Sequence, residues 1–250
     1  MRARQRHLNK SLRETACAFD SRFLSGFSDG NAVDTWTDLS SNARNASQST
    51  AANRPTYKTA IRGGNPIVRF DGTNDILTTS TFASATQATA IIVASASNWT
   101  SPGAYRHSFV HGYGVPSLNT TGSTFAVQTG GTFAYWVAGD IVSFGNGYDS
   151  TPPRTAGAPA SGSDFRIISS VFWSTLARVY LNGARISTRT EVTASIGSFT
   201  RAAGIGAALN PAEYWNGDIA AVIFYTSNIG EPMRARLERS NALSFKVACS

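Results

Sequence analysis

Short runs of Ile, Val, Phe, Tyr and Thr recur along most of the chain, and clusters of Gly, Asn, Asp, Ser and Pro separate them. β-Branched and aromatic residues favour strands, whereas the separating residues favour turns. The pattern predicts strands over residues 90–97, 124–129, 132–138, 165–174, 177–188 and 218–226. Many short strands with almost no helix favour an all-β sandwich or barrel.

Two dipeptides predict tight hairpins. Gly130-Gly131 lies at the centre of TGGT, and Asn182-Gly183 lies at the centre of LNGA. A type I′ turn requires positive φ at both central positions, which Asn and Gly tolerate. The residues expected on one buried face across the second hairpin are Val179, Leu181, Ala184 and Ile186.

One helix is predicted, over residues 231–246, and we expect it to pack on the outside of a sheet. The segment begins with an acid and places Pro232 near the helix start, where proline is tolerated. Its expected apolar face comprises Met233, Leu237, Leu243 and Phe245.

The chain has 250 residues, enough for one large all-β domain. Residues 145–163 are rich in Gly, Pro and Ser and carry no periodic pattern. Because the strands on both sides belong to one sheet body, we interpret this segment as a long surface loop and not as a linker. The predicted organisation is an N-terminal arm over 1–16 and a single domain over 17–250.

The net charge of +7 is concentrated at the N-terminus. Five cations precede the first acid, Glu14: Arg2, Arg4, Arg6, Lys10 and Arg13. Such an arm can dock on nucleic acid, on an acidic protein surface or on a membrane, or it can be a solvated terminus. The remaining chain is nearly neutral and its arginines are dispersed, so nucleic-acid binding is expected only through the arm.

The two cysteines, Cys17 and Cys249, lie near opposite ends of the predicted domain. A disulfide between them is geometrically possible because domain termini often lie close together. Two reduced thiols are the favoured interpretation, since no secretory signal is visible. No run of about 18 apolar residues occurs, so we expect no membrane span.

Three segments, 32–59, 63–79 and 213–246, carry a recognisable order of motifs. The matching positions are Trp36, Asp38, Ser40, Asn42, Arg54, Pro55, Tyr57, Pro66, Val68, Phe70, Asp71, Gly72, Asp75, Leu77, Gly217, Asp218, Ile219 and Ala220. With them the chain resembles the concanavalin A-like, laminin-G-like domains of bacterial surface proteins and bacteriophage virion proteins. Departures from the pattern are Ser41 for a glycine, Ala221 for a common glutamate, and Gly230 for a helix-capping hydroxyl residue.

The resemblance implies a jelly-roll β-sandwich of two antiparallel sheets with one C-terminal helix. It does not define a function, because this fold serves lectins, hydrolases, adhesion modules and virion parts.

The stretch RFDGTNDILTT places Asp71, Asn74 and Asp75 within five positions. We interpret it as a turn between two strands, in which Gly72 takes positive φ and Asp75 ties down the turn amides. The alternative is calcium binding, which related laminin-G-like domains perform. That site would need six to eight oxygens, and this loop supplies only part of such a shell.

Three enzyme signatures are weak. Sandwich glucanases related to this fold place their catalytic carboxylates on one strand, whereas the five glutamates of this chain are scattered. GFSDG, at 26–30, matches the G-x-S-x-G motif but is not followed by a helix, so a turn is favoured. His107 and His111 have i, i+4 spacing, which on a strand separates the side chains by about 13 Å. No enzymatic activity, cofactor or metal site is predicted.

Glycan recognition commonly uses exposed aromatic side chains. The aromatic residues within or beside polar loops are Trp99, Tyr105, Tyr113 and Tyr148. Packing in the sandwich core is the alternative for each of them.

The leading hypothesis is a non-enzymatic bacteriophage virion protein, either a capsid decoration or a tail appendage. The basic arm would anchor it to other virion proteins in multiple copies, as a homo-oligomer or as part of an assembly. The alternative is a carbohydrate-binding module that recognises a cell-surface polysaccharide.

Overall fold

The computed structural model describes residues 15–83, 85–97, 106–113, 125–129, 141–145, 164–173, 176–185, 200–207 and 214–249. Its strands are β1 (Cys17–Asp20), β2 (Thr35–Trp36), β3 (Ala46–Ser47), β4 (Thr56–Arg62), β5 (Asn65–Asp71), β6 (Leu77–Thr78), β7 (Phe82–Ala83), β8 (Gln87–Ala96), β9 (Arg106–Tyr113), β10 (Phe125–Thr129), β11 (Ile141–Gly145), β12 (Arg166–Trp173), β13 (Leu176–Leu181), β14 (Ala184–Arg185), β15 (Thr200–Ile205) and β16 (Asn216–Tyr225). Short 3-10 turns cover Ser21–Phe23 and Ala51–Asn53, and a helix, α1, spans Gly230–Phe245.

The strands form two eight-stranded antiparallel sheets. Sheet A has the order β14-β13-β12-β8-β16-β5-β4, with β1 also paired to β16. Sheet B has the order β11-β10-β9-β15-β6-β3-β2, with β7 also paired to β15. The predicted jelly-roll sandwich is therefore confirmed. The predicted strand over 132–138, the Gly130-Gly131 turn and residues 1–14 of the predicted arm over 1–16 lie outside the described residues.

The main core lies between the two sheets and is rich in aromatic rings. The ring centroids of Phe109, on sheet B, and Phe224, on sheet A, are 4.9 Å apart. Large core side chains that are almost completely buried are Phe19, Trp36, Phe70, Phe109, Trp215 and Phe224. Burial of this size dominates the stability of the sandwich.

Strand β8 is apolar at consecutive positions because both of its faces are covered. Ile92 and Ala94 face the core between the sheets, whereas Ile91 and Val93 belong to a second cluster beneath the helix. A strand that is buried on both faces loses the alternation of apolar and polar residues in its sequence.

A bulge in β16 changes which side chains face the helix. The pairing of β16 with β8 shifts register between Ile219 and Ala221. Ile219 and Val222 consequently pack between the sheets, while Ala220 and Ala221 both pack in the cluster beneath α1. The extra residue accommodates two small side chains in succession on one face.

Helix α1 lies across the outer face of sheet A, close to the predicted bounds. Leu237 and Phe245 are buried there as expected, but Leu243 is 81% exposed, so its assignment to the apolar face was wrong. The side-chain oxygen of Asn228 accepts the backbone N–H of Gly230 at 2.9 Å in the turn before α1, whereas Ile229, at the N-cap position, makes no side-chain capping bond.

The Asn182-Gly183 hairpin is confirmed, with φ values of 50° and 89° at its two central residues. The Asn182 carboxamide also accepts the Ile167 N–H at 2.8 Å, which ties the turn to β12. Across the hairpin Leu181 is half-buried, but Ala184 is exposed, so the predicted buried face ends before Ala184. Ile186 lies outside the described residues.

Cys17 and Cys249 are thiols with no disulfide between them, as the favoured interpretation predicted. Cys17 is buried between the sheets, whereas Cys249 packs on the opposite side of sheet A, near the helix. Of the predicted loop 145–163, only Gly145, at the end of β11, is described. Across the described part of the chain, no helix has the length and apolar character needed to span a membrane.

Candidate functional site

The outer face of sheet B carries a row of small polar residues. Trp36, Ala46 and Leu77 point into the core and are almost completely buried. Because side chains alternate along a strand, the neighbours of these residues lie on the opposite face. Those neighbours are Thr35 on β2, Ser47 on β3 and Thr78 on β6.

Strand register aligns these residues into one transverse line, which we call the hydroxyl row. Thr35 pairs with Ser47, Ser47 pairs with Thr78, and Thr78 pairs with Gly204 of β15. At the usual spacing between strands, the distance across the row from Thr35 to Thr78 is roughly 10 Å. Ser47 is exposed, and Thr35 and Thr78 are half-buried.

The row offers hydrogen-bonding groups and no charge. Each hydroxyl can donate one hydrogen bond and accept two, which matches the mixed donor and acceptor character of a sugar hydroxyl. Gly204, which pairs with Thr78, is itself buried, so the accessible part of the row comprises Thr35, Ser47 and Thr78. We take the hydroxyl row as the candidate binding site.

Tyr113 is the one aromatic candidate whose backbone the structure describes. It ends β9 in sheet B, in register with Ala202, two residues along β15 from Gly204. This register places Tyr113 on the same sheet as the hydroxyl row. Trp99, Tyr105 and Tyr148 lie outside the described residues, so their predicted roles stay predictions.

The FDG stretch forms a hydrogen-bonded turn at the end of β5. Oδ1 of Asp71 accepts the backbone N–H groups of Thr73 at 2.8 Å and Asn74 at 3.2 Å. Oδ2 of Asp75 accepts the N–H of Asp71 at 2.9 Å. Asp75 therefore ties down one turn amide, as predicted, and Asp71 ties down the amides of the residues that follow it. Gly72 takes the predicted positive φ, 76°.

The environment of Asp75 disfavours its charged form. Its carboxyl is buried, with the Asp71 carboxylate nearby, and burial raises its pKa to about 6 although the Asp71 N–H lowers it. Oδ1 of Asn74 is also buried, and within the described region no group donates to it. No cluster of three or more His, Cys, Asp or Glu side chains converges among the described residues. Calcium binding at Asp71, Asn74 and Asp75 stays a prediction.

The other signature residues hold the fold together. Asp38 accepts the N–H groups of Ala18 at 2.8 Å and Arg44 at 2.8 Å, and it accepts the Ser40 hydroxyl. These bonds fasten the loop after β2 to strand β1. Asp38, which lies between the signature residues Trp36 and Ser40, therefore has a structural role.

The G-x-S-x-G match is also structural. The N–H of Ser28 donates to the carboxamide of Asn31 at 2.7 Å, and the next regular element is strand β2 rather than a helix. His107 and His111 both lie on β9, which confirms their predicted strand spacing.

A buried ionic cluster that the sequence did not reveal lies beneath the start of α1. Arg234 donates to Glu231 at 2.8 Å and to Glu238, and its guanidinium carbon lies 3.5 Å from the ring centroid of Tyr180. The Tyr180 hydroxyl donates to Glu231, and burial together with that carboxylate raises the pKa of Tyr180. The cluster joins α1 to β13. Its sequence signals are the i, i+3 spacing of Glu231 and Arg234 and the i, i+4 spacing of Arg234 and Glu238.

No family model matches the sequence, and no curated protein matches it significantly. Solved structures do share the fold. Domain 4 of AbnA, a GH43 extracellular arabinanase from Geobacillus stearothermophilus in complex with arabinotriose, is similar with a TM-score of 0.57 and 12% identity. That match covers 90% of this chain and 98% of the arabinanase domain.

Two further similar structures are longer chains. The binding domain of Paraclostridial Mosquitocidal Protein 1 has a TM-score of 0.60 and 13% identity, with 92% of this chain and 53% of that chain covered. A GH54 α-L-arabinofuranosidase has a TM-score of 0.58 and 10% identity, and the match covers 86% of this chain and 51% of the arabinofuranosidase. This chain thus spans about half the length of each. At such identities the likeness shows a shared β-sandwich fold and nothing finer.

Proposed function

We propose that the protein is a non-enzymatic recognition module that binds a polysaccharide through the outer face of sheet B. The observation that carries this proposal is the hydroxyl row, in which Thr35, Ser47 and Thr78 stand side by side on neighbouring strands. Helix α1 lies on the other sheet, so it does not cover this face. A flat, uncharged and hydroxyl-rich strip suits a neutral sugar chain laid across the strands.

The fold comparison supports this proposal. The arabinanase domain was solved with arabinotriose, and the likeness extends over nearly all of that domain. A second similar structure is the binding domain of a toxin. Both are portions of larger proteins that carry a β-sandwich of this kind, and we infer by analogy that this sandwich has a recognition role.

The absence of catalysis is supported by what the described carboxylates do. A glycosidase needs one carboxyl group that is free to donate a proton and a second that attacks or activates water. Eight of the ten described carboxylates are engaged with backbone amides, hydroxyls or cations: Asp20, Asp29, Asp38, Asp71, Asp75, Asp218, Glu231 and Glu238. The other two, Asp34 and Asp164, are exposed and lie far apart in the sequence. None of these eight belongs to the hydroxyl row.

A role in a bacteriophage virion is the finer part of the proposal. It rests on the sequence resemblance and on the basic arm with Arg2, Arg4, Arg6, Lys10 and Arg13. In that setting the sandwich would recognise a polysaccharide of the host surface, and the arm would attach it to neighbouring virion proteins. Copurification with assembled particles at a fixed copy number tests this part.

Binding and catalysis can be tested together. The full chain is titrated calorimetrically with arabinotriose and with a panel of soluble neutral and acidic polysaccharides, and each mixture is then assayed for new reducing ends. The proposal expects saturable binding of at least one saccharide without release of reducing ends. Release of reducing ends would contradict the non-enzymatic role, and an absence of binding across the panel would contradict recognition.

A further inference from the structure

Three large apolar side chains are exposed near the C-terminal end of α1. Phe23 is 59% exposed, Ile61 is 41% exposed and Leu243 is 81% exposed. They come from three separate parts of the chain: a 3-10 turn, strand β4 and the helix. Isolated exposed apolar residues are ordinary, but a group gathered at one place marks a contact surface.

Hydrogen bonds hold the β4–β5 hairpin against the helix end. Arg62 donates from Nε to the Phe245 carbonyl at 3.0 Å and from Nη2 to the Lys246 carbonyl at 2.8 Å. The carboxamide of Asn65 donates to the Ser244 carbonyl at 2.6 Å. These contacts fix Ile61, next to Arg62, beside the last turn of α1.

Phe23 joins the same region through Arg22. The guanidinium carbon of Arg22 lies 5.7 Å from the ring centroid of Phe23 and 5.0 Å from that of Phe245. Asp20 pairs with Arg22 and holds the guanidinium between the two rings. The 3-10 turn, the hairpin and the helix end therefore form one continuous surface.

Positive charge surrounds the apolar side chains. The exposed residues on the outward side of α1, from its middle to the C-cap, are Arg236, Arg239, Leu243 and Lys246. The two helix acids do not offset them, because Glu238 is buried against Arg234 and Glu231 lies in the first turn. Three carboxylates lie near the edge. Asp164 is exposed beside Phe165, whose ring lies 5.8 Å from Arg62. Asp29 pairs with Lys58 and accepts the Thr59 N–H, and Asp20 pairs with Arg22.

We propose that this helix-end surface, comprising Phe23, Ile61, Arg236, Arg239, Leu243 and Lys246, docks an acidic segment of a partner protein. Apolar side chains rimmed by arginines are the usual composition of a protein interface. The planar guanidinium group matches a carboxylate in two parallel hydrogen bonds, which favours aspartate and glutamate as the partner's rim.

Two other occupants suit the surface less well. A second copy related by a two-fold axis would bring Arg236, Arg239 and Lys246 against the same cations. An anionic bilayer would attract the cations, but a membrane-binding helix presents one continuous apolar face, whereas here each of three elements contributes a single apolar side chain.

A defined peptide tests the proposal on the full chain. The probe is a labelled synthetic amphipathic helix with leucine on one face and glutamate on the other, and the control probe carries lysine in place of glutamate. Fluorescence anisotropy is expected to show binding of the glutamate probe that weakens as salt is raised, and no binding of the lysine probe. The double variant Arg236→Glu/Arg239→Glu and the single variant Leu243→Ser should each weaken binding at least tenfold.

Arg201→Glu is the matched control, because Arg201 is an exposed cation of β15 on the other sheet. Its affinity for the probe should equal that of the unaltered chain. Equal affinity of all variants, or no binding of the glutamate probe, would overturn the proposal. Two outcomes would replace the acidic segment with another occupant: binding to phosphatidylglycerol vesicles in preference to the peptide, or dimerisation lost in Leu243→Ser.

Discussion

The ring of Phe70 lies against the backbone of Gly206, so closely that a Cβ atom at Gly206 would come within 2.2 Å of two ring carbons. Phe70 belongs to the FDG signature on sheet A, and Gly206 directly follows β15 on sheet B. The contact therefore joins the two layers of the sandwich. This contact is one reason why the FDG signature is associated with this fold, because Phe70 can pack in its position only against a glycine on the opposite sheet.

Gly206→Ala should destabilise the protein by roughly 3 kcal/mol, because the methyl group overpacks the core and the backbone is left-handed. Gly26→Ala is the matched control, since Gly26 has the same φ of 86° but no atom within 4 Å of the added Cβ. It should cost about 1 kcal/mol. Urea denaturation measures both, and equal losses would show that the Phe70 contact is unimportant.

The pair Arg234 and Glu238 should show strong coupling in a double-mutant cycle. Arg234→Met leaves the Glu238 carboxylate buried without its cation, at a cost of about 3 kcal/mol. Removing both charges, in Arg234→Met/Glu238→Leu, should recover most of that loss. Additive losses in denaturant titrations would contradict a buried ion pair.

Asp75 should make the protein less stable as pH rises. Its folded pKa, about 6, lies above the ordinary value of 3.8, so the folded state holds the proton more tightly. The contribution of Asp75 to the free energy of unfolding is therefore fully present below about pH 4 and is lost as pH rises through 6. Asp75→Asn keeps an oxygen to accept the Asp71 N–H and removes the charge.

The variant should therefore match the unaltered protein near pH 4 and exceed its stability by about 1–2 kcal/mol at pH 7. Free energies of unfolding at several pH values measure the difference. A difference that does not change with pH would show that Asp75 is not the titrating group.

Local sequence patterns predicted much of the fold because they act within a few residues. Asn182-Gly183 specifies its turn through positive φ at both positions. The turn at Gly72 followed from the same conformational freedom. The helix was placed within one residue of its bounds, since an acid and Pro232 mark its start.

The remaining features depend on distant partners. From its sequence, Leu243 is expected to be a core residue. The structure shows that Arg234 and Glu238 are buried on the inward face of the helix, while Leu243 is exposed. Ser47 and Thr78 belong to strands of only two residues, which are too short to show the alternating hydrophobic pattern by which a strand is recognised in a sequence. Their alignment arises from pairing over some 30 residues of chain and is visible only in three dimensions.

Saccharide titration of the Ser47→Trp variant tests the central claim most directly. Ser47 is exposed in the middle of the hydroxyl row, so a bulky ring there blocks the row with little change in stability. Ala248→Trp is the control, because it places the same ring at an exposed position beyond α1, on the side of sheet A. For the saccharide that the unaltered chain binds, we expect at least a tenfold loss of affinity in Ser47→Trp and none in Ala248→Trp. Full affinity in Ser47→Trp would contradict polysaccharide binding at the hydroxyl row.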